Sequence, residues 1–304
     1  MANSYADEFL TCVMKRSDND VILRVGSVLL LMFAVPVIMV LIPLVILVIF
    51  AYMTDAYESG WESFEYILDN LSIGIMLFSS IIEAFITYMM INSYYMHQKR
   101  DTVWMGSLTK YAASYGKDVS ELETINEQFS SNKADIIRKV AIVYFLFVLV
   151  SHTFMAILMS TKVVEGHMVY DIAYATSLSM LIEACLGSAY VFVSIRKQDN
   201  LQCDFTSKWA SMMADEIPEA EPMVTRIKLR KIWPHLVLMA VTIGVYAIIF
   251  ALWVIHTVNL HISRQNTYEE AVLKWIMDKE GAKGIQGVED TTKHKFGFIL
   301  RMIT

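Results

Sequence analysis

An apolar run from residue 22 to residue 52 carries no charged side chain after Arg24, and this feature limits the chain to few folds. About 20 apolar residues are enough for an α-helix to cross the roughly 30 Å hydrocarbon layer of a bilayer. Backbone polar groups in lipid must be satisfied within the segment, which favours helices. Similar runs follow at about 71–96, 137–160, 170–195 and 232–258. The sequence therefore predicts an all-α polytopic membrane helix bundle, with four full spans and a fifth span or re-entrant hairpin.

The composition agrees with a membrane protein and argues against other classes. Apolar residues make up 56% of the 304 residues and charged residues 18%, against about 25% charged in soluble domains. A net charge of −6 argues against nucleic acid as a partner, because phosphate binding needs a concentrated basic surface. The three cysteines show no CxxC or Cys/His zinc spacing. The expected partners are the lipid bilayer and other membrane subunits or a second copy of the chain, and no cofactor or metal is predicted.

The charges of the loops predict the topology. Residues 53–69 contain acidic side chains but no lysine or arginine, whereas residues 97–139 are basic near both ends. By the positive-inside rule the second segment is cytoplasmic and the first lies outside. We therefore predict a multi-pass protein of the plasma membrane with a cytoplasmic N-terminus.

The cytoplasmic segment after the second span has the pattern of an amphipathic helix. Its apolar residues recur at three- and four-residue steps, at Trp104, Leu108, Tyr111, Tyr115, Val119, Leu122 and Ile125. Such a stripe must be covered, so we expect this arm to lie on the bilayer surface or to pack on a neighbouring arm.

Internal similarities divide the chain into three repeat units, each with a basic entry cluster, a membrane segment and an exit arm. IIEA around Glu83 matches LIEA around Glu183, and TKYA at 109–112 matches SKWA at 207–210. The predicted divisions are an N-terminal cytoplasmic segment at 1–21, repeat units at 22–135, 136–227 and 228–283, and a C-terminal interfacial tail at 284–304.

The third unit has a shortened membrane segment, although its arm aligns His261 with His97 and Tyr268 with Trp104. Either a single span remains, or residues 232–258 fold as a re-entrant hairpin that turns near Thr242. The basic residues of the last arm favour a cytoplasmic position and hence the hairpin. An uninterrupted apolar run is equally typical of one tilted span.

A short motif in the third unit has the pattern Thr-x-Gly-(Ile/Val)-Tyr followed by aromatic and aliphatic residues. It comprises Thr242, Gly244, Val245, Tyr246, Phe250 and Trp253. The unit resembles small prokaryotic membrane domains of unknown function that carry this pattern. The resemblance implies a prokaryotic membrane protein and brings no activity with it.

The residues most suggestive of chemistry are Glu83 and Glu183, which lie at mid-depth of two predicted spans. A carboxylate in the bilayer is costly, so such residues face a bundle interior and often mark ion pathways. They could form a proton or cation relay between repeat units. Alternatively, each protonated acid makes a hydrogen bond that sets helix packing. His152 is a further intramembrane polar residue, either a satisfied polar side chain within its own span or a partner of Glu183.

Known catalytic motifs are absent from the sequence. It contains no Walker-type loop, no HExxH and no GxSxG. We therefore expect a non-enzymatic membrane protein that acts as a scaffold, assembly factor or accessory subunit of a membrane complex. The alternative is a small proton- or cation-coupled transporter or channel that uses Glu83 and Glu183. A membrane enzyme acting on lipid is a more distant possibility.

Overall fold

The computed structural model describes residues 4–14, 23–31, 61–130, 134–160, 166–223, 231–242 and 245–280, with isolated positions between 38 and 49. Side chains are not described for residues 61–77 and for most of 166–184. Most of the first predicted span and the whole predicted tail at 284–304 therefore lie outside the described residues. All regular secondary structure in the described residues is helical, which confirms the all-α prediction.

The described residues form helices of very different lengths, and the longest extend well beyond the predicted spans. They are α1 (Ser4–Met14), α2 (Val25–Leu29), α3 (Trp61–Ser114), α4 (Ser120–Ser130), α5 (Ala134–Ser160), α6 (Gly166–Met213), α7 (Trp233–Val241) and α8 (Val245–Glu280). Helices α3 and α6 contain 54 and 48 residues. Each runs without interruption from a predicted span into the arm that follows it. Each arm therefore begins as a continuation of the apolar helix before it.

Helices α3, α6 and α8 run parallel to one another. The Trp209 indole of α6 donates a hydrogen bond to the Leu108 carbonyl of α3 at 3.2 Å, and further back Gly187 of α6 lies against Thr87 of α3. In α8, the His261 ring contacts His97 of α3 with 5.0 Å between centroids. Seven residues on, Tyr268 contacts Trp104, so α8 follows α3 in the same direction.

Helix α5 runs antiparallel to α3. Near its start, the Arg138 guanidinium lies 4.4 Å from the centre of the Tyr95 ring. Further along, Phe145 stacks on Tyr88 with 6.2 Å between centroids. Increasing residue numbers in α5 therefore meet decreasing numbers in α3.

Most buried apolar side chains of the described residues belong to two cores along these helices. The first, called the apolar core here, contains Met90, Tyr94, Val191, Phe192, Phe250 and Val254 among others. The second, called the aromatic core, contains Phe9, Trp104, Tyr111, Phe205, Trp209 and Val272 among others. Full burial of a large apolar side chain contributes about 1.5–3 kcal/mol. Both cores are therefore substantial sources of stability.

The amphipathic stripe predicted for the first arm is the inner face of the aromatic core. Trp104, Leu108, Tyr111 and Leu122 are fully buried, and the remaining stripe residues pack against them. The arm consists of two helices, because Gly116 adopts a positive φ of 71° and ends α3. The stripe thus packs on neighbouring arms, which was one of the two predicted arrangements.

Helices α7 and α8 form a hairpin at the predicted turn. The His235 ring of α7 contacts Phe250 and Trp253 of α8 at 4.9 and 5.5 Å between centroids. One continuous helix would separate residues 235 and 253 by about 27 Å, so the chain must double back. The nine residues of α7 extend only about 14 Å, which is too short to cross a bilayer.

The hairpin gives the Thr-x-Gly-x-Tyr motif a physical explanation. The Thr242 hydroxyl accepts a hydrogen bond from the Tyr246 backbone N–H at 3.0 Å, at the start of α8. The Tyr246 hydroxyl in turn lies 2.8 Å from Nδ1 of His235. Threonine therefore caps the second helix, while tyrosine bonds it to the first.

One helix among the described residues, Tyr246–Glu280, is long and apolar enough to cross a membrane. Its length and composition support membrane association of the chain. The number of spans and the topology stay predictions.

Helices α3 and α6 pack tightly at Gly187. A Cβ atom added at this glycine would lie 2.9 Å from Cγ2 of Thr87 and 3.2 Å from Cδ1 of Ile91. We expect Gly187→Ala to lower the free energy of unfolding by about 1–3 kcal/mol, because a packed core resists an extra methyl group. Thr87→Ser, which removes Cγ2, should restore part of the loss. Denaturant unfolding in detergent measures both effects.

The matched control is Gly106→Ala in α3. An added Cβ there would lie 3.6 Å from the Asn126 amide, an ordinary contact. Since alanine favours helix over glycine by about 1 kcal/mol, this variant should be neutral or stabilised. Equal destabilisation of both variants would contradict the close approach at Gly187.

Tyr111 links the end of α3 to the end of α8 and should make stability sensitive to alkaline pH. Its hydroxyl donates a hydrogen bond to the Glu280 carboxylate at 3.0 Å. Burial, followed by the bonds to Tyr115 and Glu280, raises the pKa of Tyr111 above its ordinary value of 10.0. In the unfolded chain the phenol ionises near pH 10, whereas in the folded chain it stays neutral. The stability from this residue is therefore fully present below pH 10 and is lost above it.

We expect Tyr111→Phe to cost about 1 kcal/mol at pH 8, where a hydrogen bond is lost. Between pH 8 and pH 11 the wild-type protein should lose about 1.4 kcal/mol through Tyr111, and the variant should not. The free energies of unfolding of wild type and Tyr111→Phe should therefore differ at pH 8 and be nearly equal at pH 11. A constant difference between the two proteins would show that Tyr111 does not titrate on unfolding.

Candidate functional site

A layer of buried polar side chains separates the apolar core from the aromatic core. It contains His97, Gln98, Arg100, Asp101, Gln198, Gln202, His261, Gln265 and Glu269, each no more than 5% exposed. Helices α3, α6 and α8 all contribute to it. We call these residues the polar layer. Charged groups buried to this extent must be paired or must bind an ion.

Asp101 of α3 is the central acceptor of the polar layer. Its Oδ2 accepts a hydrogen bond from the Gln202 amide of α6 at 2.8 Å. Its Oδ1 accepts one from the Gln265 amide of α8. The same Gln202 amide donates to Oε1 of Gln265 at 3.0 Å. One carboxylate thus joins three helices, and no bulk water reaches it.

Arg100 neutralises a second buried acid. Its two terminal nitrogens lie 2.6 and 3.3 Å from the two carboxylate oxygens of Glu269 in α8. This is the bidentate geometry that gives arginine–carboxylate pairs their strength and directionality. The side chains are 2% and 0% exposed, so the pair is protected from solvent screening. Gln265 also donates to Glu269 at 2.8 Å and so connects the pair to Asp101.

Two histidines lie beside Asp101, at the end of the layer next to the apolar core. His97 is one helical turn before Asp101, and its Nε2 lies 3.3 Å from Oδ2 of the acid. His261 of α8 bonds through Nδ1 to the Asp199 carboxylate of α6. One donor atom from each of His97, Asp101 and His261 lies within 4.8 Å of the other two. This group is therefore compact enough to hold a metal ion.

Helical spacing explains how the layer forms locally. His97 and Asp101 are four residues apart on α3, as are His261, Gln265 and Glu269 along α8. Side chains four residues apart share a helix face. The sequence contains this signal, but histidines at the start of an arm, as His97 and His261 are, are equally typical of the membrane interface. The buried face becomes apparent only when α3, α6 and α8 are placed side by side.

The sequence-predicted residues lie away from the polar layer. Glu83 is half-buried on α3, about four turns before His97. Glu183 lies on α6, and its side chain is outside the described residues. The register set by Gly187 against Thr87 brings the backbones of the two acids to a similar level. Whether they form an ion pathway stays a prediction.

His152 is buried on α5, where its Nδ1 lies 3.3 Å from the Ser151 hydroxyl. One turn earlier, Val148 packs with Ala84 of α3. His152 therefore lies beside the part of α3 that contains Glu83. The bond to Glu183 that we considered from the sequence stays a prediction, because that side chain is not described.

Comparison with family models, curated proteins and solved structures finds no match to this chain.

The buried pair predicts strong coupling between Arg100 and Glu269. We expect Arg100→Met and Glu269→Met each to lower the free energy of unfolding by about 3–5 kcal/mol, because each leaves an uncompensated buried charge. The double variant should lose much less than the sum. Denaturant unfolding of the four proteins in detergent gives the coupling energy.

The exposed pair between Lys110 and Glu8, with 2.8 Å between Nζ and Oε1, is the matched control. Lys110→Met should change the free energy of unfolding by no more than about 1 kcal/mol. Additive losses for Arg100→Met and Glu269→Met would mean that the buried pair does not act as a unit.

Proposed function

We propose that this chain is a non-enzymatic integral membrane protein that serves as a scaffold, assembly factor or accessory subunit of a membrane complex. The main support is an exposed apolar face on α5. Side chains more than half exposed recur there at three- and four-residue steps, at Ile136, Val140, Val143, Phe147, Val150, Phe154 and Ile157. The face is about 32 Å long, which matches the hydrocarbon thickness of a bilayer. In water, such a patch would promote association.

The three-unit organisation belongs to the same proposal. Residues that are equivalent in the repeat alignment contact each other, namely His97 with His261 and Trp104 with Tyr268. Contacts between equivalent residues are expected when repeat units pack around a common axis. The parallel direction of α3, α6 and α8 is consistent with that arrangement.

The scaffold function is supported by the continuity of the two longest helices. Because α3 and α6 pass from the apolar core into the aromatic core without a break, the two cores form one packed unit. The apolar stripe of the arms is used within the chain itself. A membrane partner or a second copy would therefore contact the exposed face of α5 rather than the arms.

A second candidate is a proton- or cation-coupled transporter. Two observations favour it: the similar level of Glu83 and Glu183 on parallel helices, and the polar layer further along the same helices. Together these positions would supply acidic and polar groups at successive depths. Such groups are typical of ion pathways.

Reconstitution in liposomes tests both candidates. The protein should float with liposomes after an alkaline wash that removes peripheral proteins. We expect no proton or cation flux from the scaffold, either in wild type or in the Glu83→Gln/Glu183→Gln double variant. Flux that the double variant loses would reject the scaffold function and identify a transport path.

The control for this experiment is Glu127→Gln, which removes an exposed acid from α4. If this variant lost flux to the same extent as the double variant, the two intramembrane acids would have no special role. Circular dichroism of each variant establishes that the helical content is unchanged.

A further inference from the structure

We propose that His97, Asp101 and His261 bind one divalent transition-metal ion at the boundary between the two cores. The proposal rests on the donor atoms of the polar layer and is independent of the proposed function. The three ligands come from α3 and α8, and one donor atom of each lies within 4.8 Å of the others. Metal–ligand distances of 2.0–2.2 Å, which imidazole and carboxylate favour, place the donors of a tetrahedral site about 3.4 Å apart. The three groups are therefore within a short side-chain movement of that geometry.

The hydrogen bond of His261 determines which of its nitrogens can bind metal. Asp199 is an acceptor, so Nδ1 of His261 carries the proton that it donates. Nε2 then has a free lone pair, and it is buried without a hydrogen-bond partner among the described residues. A carboxylate that holds the far nitrogen of a histidine is the usual arrangement around metal ligands. Asp199 is therefore a positioning residue in this proposal.

Asp101 is held in a similar way. The Gln202 and Gln265 amides donate to its two oxygens, one from each side. These bonds fix the orientation of the carboxylate. Oδ1 also accepts a long hydrogen bond from Arg100 at 3.5 Å, whereas Oδ2 keeps a further lone pair for an ion. Nε2 of His97 lies on the Oδ2 side, at 3.3 Å. Small movements of these side chains would place both groups on one ion.

The electrostatics of the layer also favour a cation. Asp101 and Glu269 are both fully buried, and the two terminal nitrogens of Arg100 are directed at Glu269. The contact between Arg100 and Asp101 is longer, at 3.5 Å. A divalent ion bound to Asp101 would neutralise the charge of this carboxylate. The carboxylate of Asp199, which bonds to His261, would balance the second positive charge of the ion. Buried carboxylates of this kind are typically paired or bind metal.

The chemistry of the donors selects the class of metal. Two imidazole nitrogens and one carboxylate oxygen suit Zn²⁺ or Fe²⁺, whereas Mg²⁺ and Ca²⁺ prefer oxygen alone. The ligands are at most 3% exposed, so the ion would exchange slowly and would act mainly on structure. It would bind α3 directly to α8, with α6 supporting through Asp199 and Gln202.

The test uses the full chain in detergent after treatment with a chelator. Zn²⁺ alone is added, and bound metal is measured by elemental analysis and by competition with a chromogenic chelator. We expect one Zn²⁺ per chain and a rise in the unfolding midpoint of roughly 5–10 °C. The zinc X-ray absorption spectrum should contain two imidazole nitrogens at about 2.0–2.1 Å.

Three variants identify the ligands. His261→Asn keeps a donor toward Asp199 but removes Nε2, and Asp101→Asn removes the ligand charge, so both should abolish stoichiometric binding. Asp199→Asn should lower the affinity about 10–100-fold, as expected when the partner of a ligating histidine is changed. His152→Gln changes a buried histidine outside the layer and should leave binding intact.

Two results would overturn the proposal. The first is that wild-type protein binds less than about a tenth of an equivalent both of Zn²⁺ and, measured under nitrogen, of Fe²⁺. The other is binding that His261→Asn and Asp101→Asn leave unchanged, which would indicate an adventitious ion only. If either variant fails to fold, the Asp199→Asn affinity and the wild-type absorption spectrum still decide the question.

Discussion

The buried carboxylate of Asp101 imposes the strongest constraint on this structure. A carboxylate in a dry interior is tolerated only when its oxygens are satisfied, and here the amides come from two other helices. Sliding α6 or α8 by one residue would move Gln202 or Gln265 away from it. The bonds around Asp101 therefore specify the register of three long helices. Apolar contacts alone would specify that register less sharply, because they are non-directional.

The Arg100–Glu269 pair adds specificity rather than simple stability. Desolvating two charges costs nearly as much as their attraction returns, so such a pair often contributes little net free energy. Its value lies in what it excludes, because any alternative packing that separates the two leaves a buried charge unpaired. The apolar and aromatic cores on either side supply the stability that allows this arrangement. The polar layer thus depends on both cores, and both are aligned by it.

The position of the polar layer connects the fold with the proposed function. It follows the apolar segments of α3 and α6 directly, at the level where Arg196 of α6 stacks on Phe192 and Trp253. In the proposed membrane protein this level is the cytoplasmic boundary of the bilayer. A rigid, ion-paired layer there would couple the membrane helices to the aromatic core. That coupling suits a scaffold, and it would also suit a transporter that must close one side of a pathway.

Several features followed from the sequence because they depend on local patterns. The long apolar runs predict helices. The three- and four-residue spacing of apolar side chains between Trp104 and Ile125 predicts which face of the first arm is buried. A turn near Thr242 was one of two arrangements that the sequence allowed for residues 232–258, and the sequence did not decide between this hairpin and a single span. That choice depended on contacts of His235 with Phe250 and Trp253, which no local pattern encodes. The polar layer was not predictable, because histidines at the start of an arm, such as His97 and His261, are also typical of the membrane interface.

The sequence by itself determined the helical class, the extent of the apolar segments and the buried face of the first arm. These properties arise from backbone hydrogen bonding and from side-chain periodicity, which act over a few turns of helix. The tertiary structure alone decided which polar residues share the buried layer, and that His97, Asp101 and His261 form one group. Their proximity depends on the parallel packing of helices that are distant in the chain. Such packing is set by the sum of many long-range contacts, so a single sequence does not reveal it.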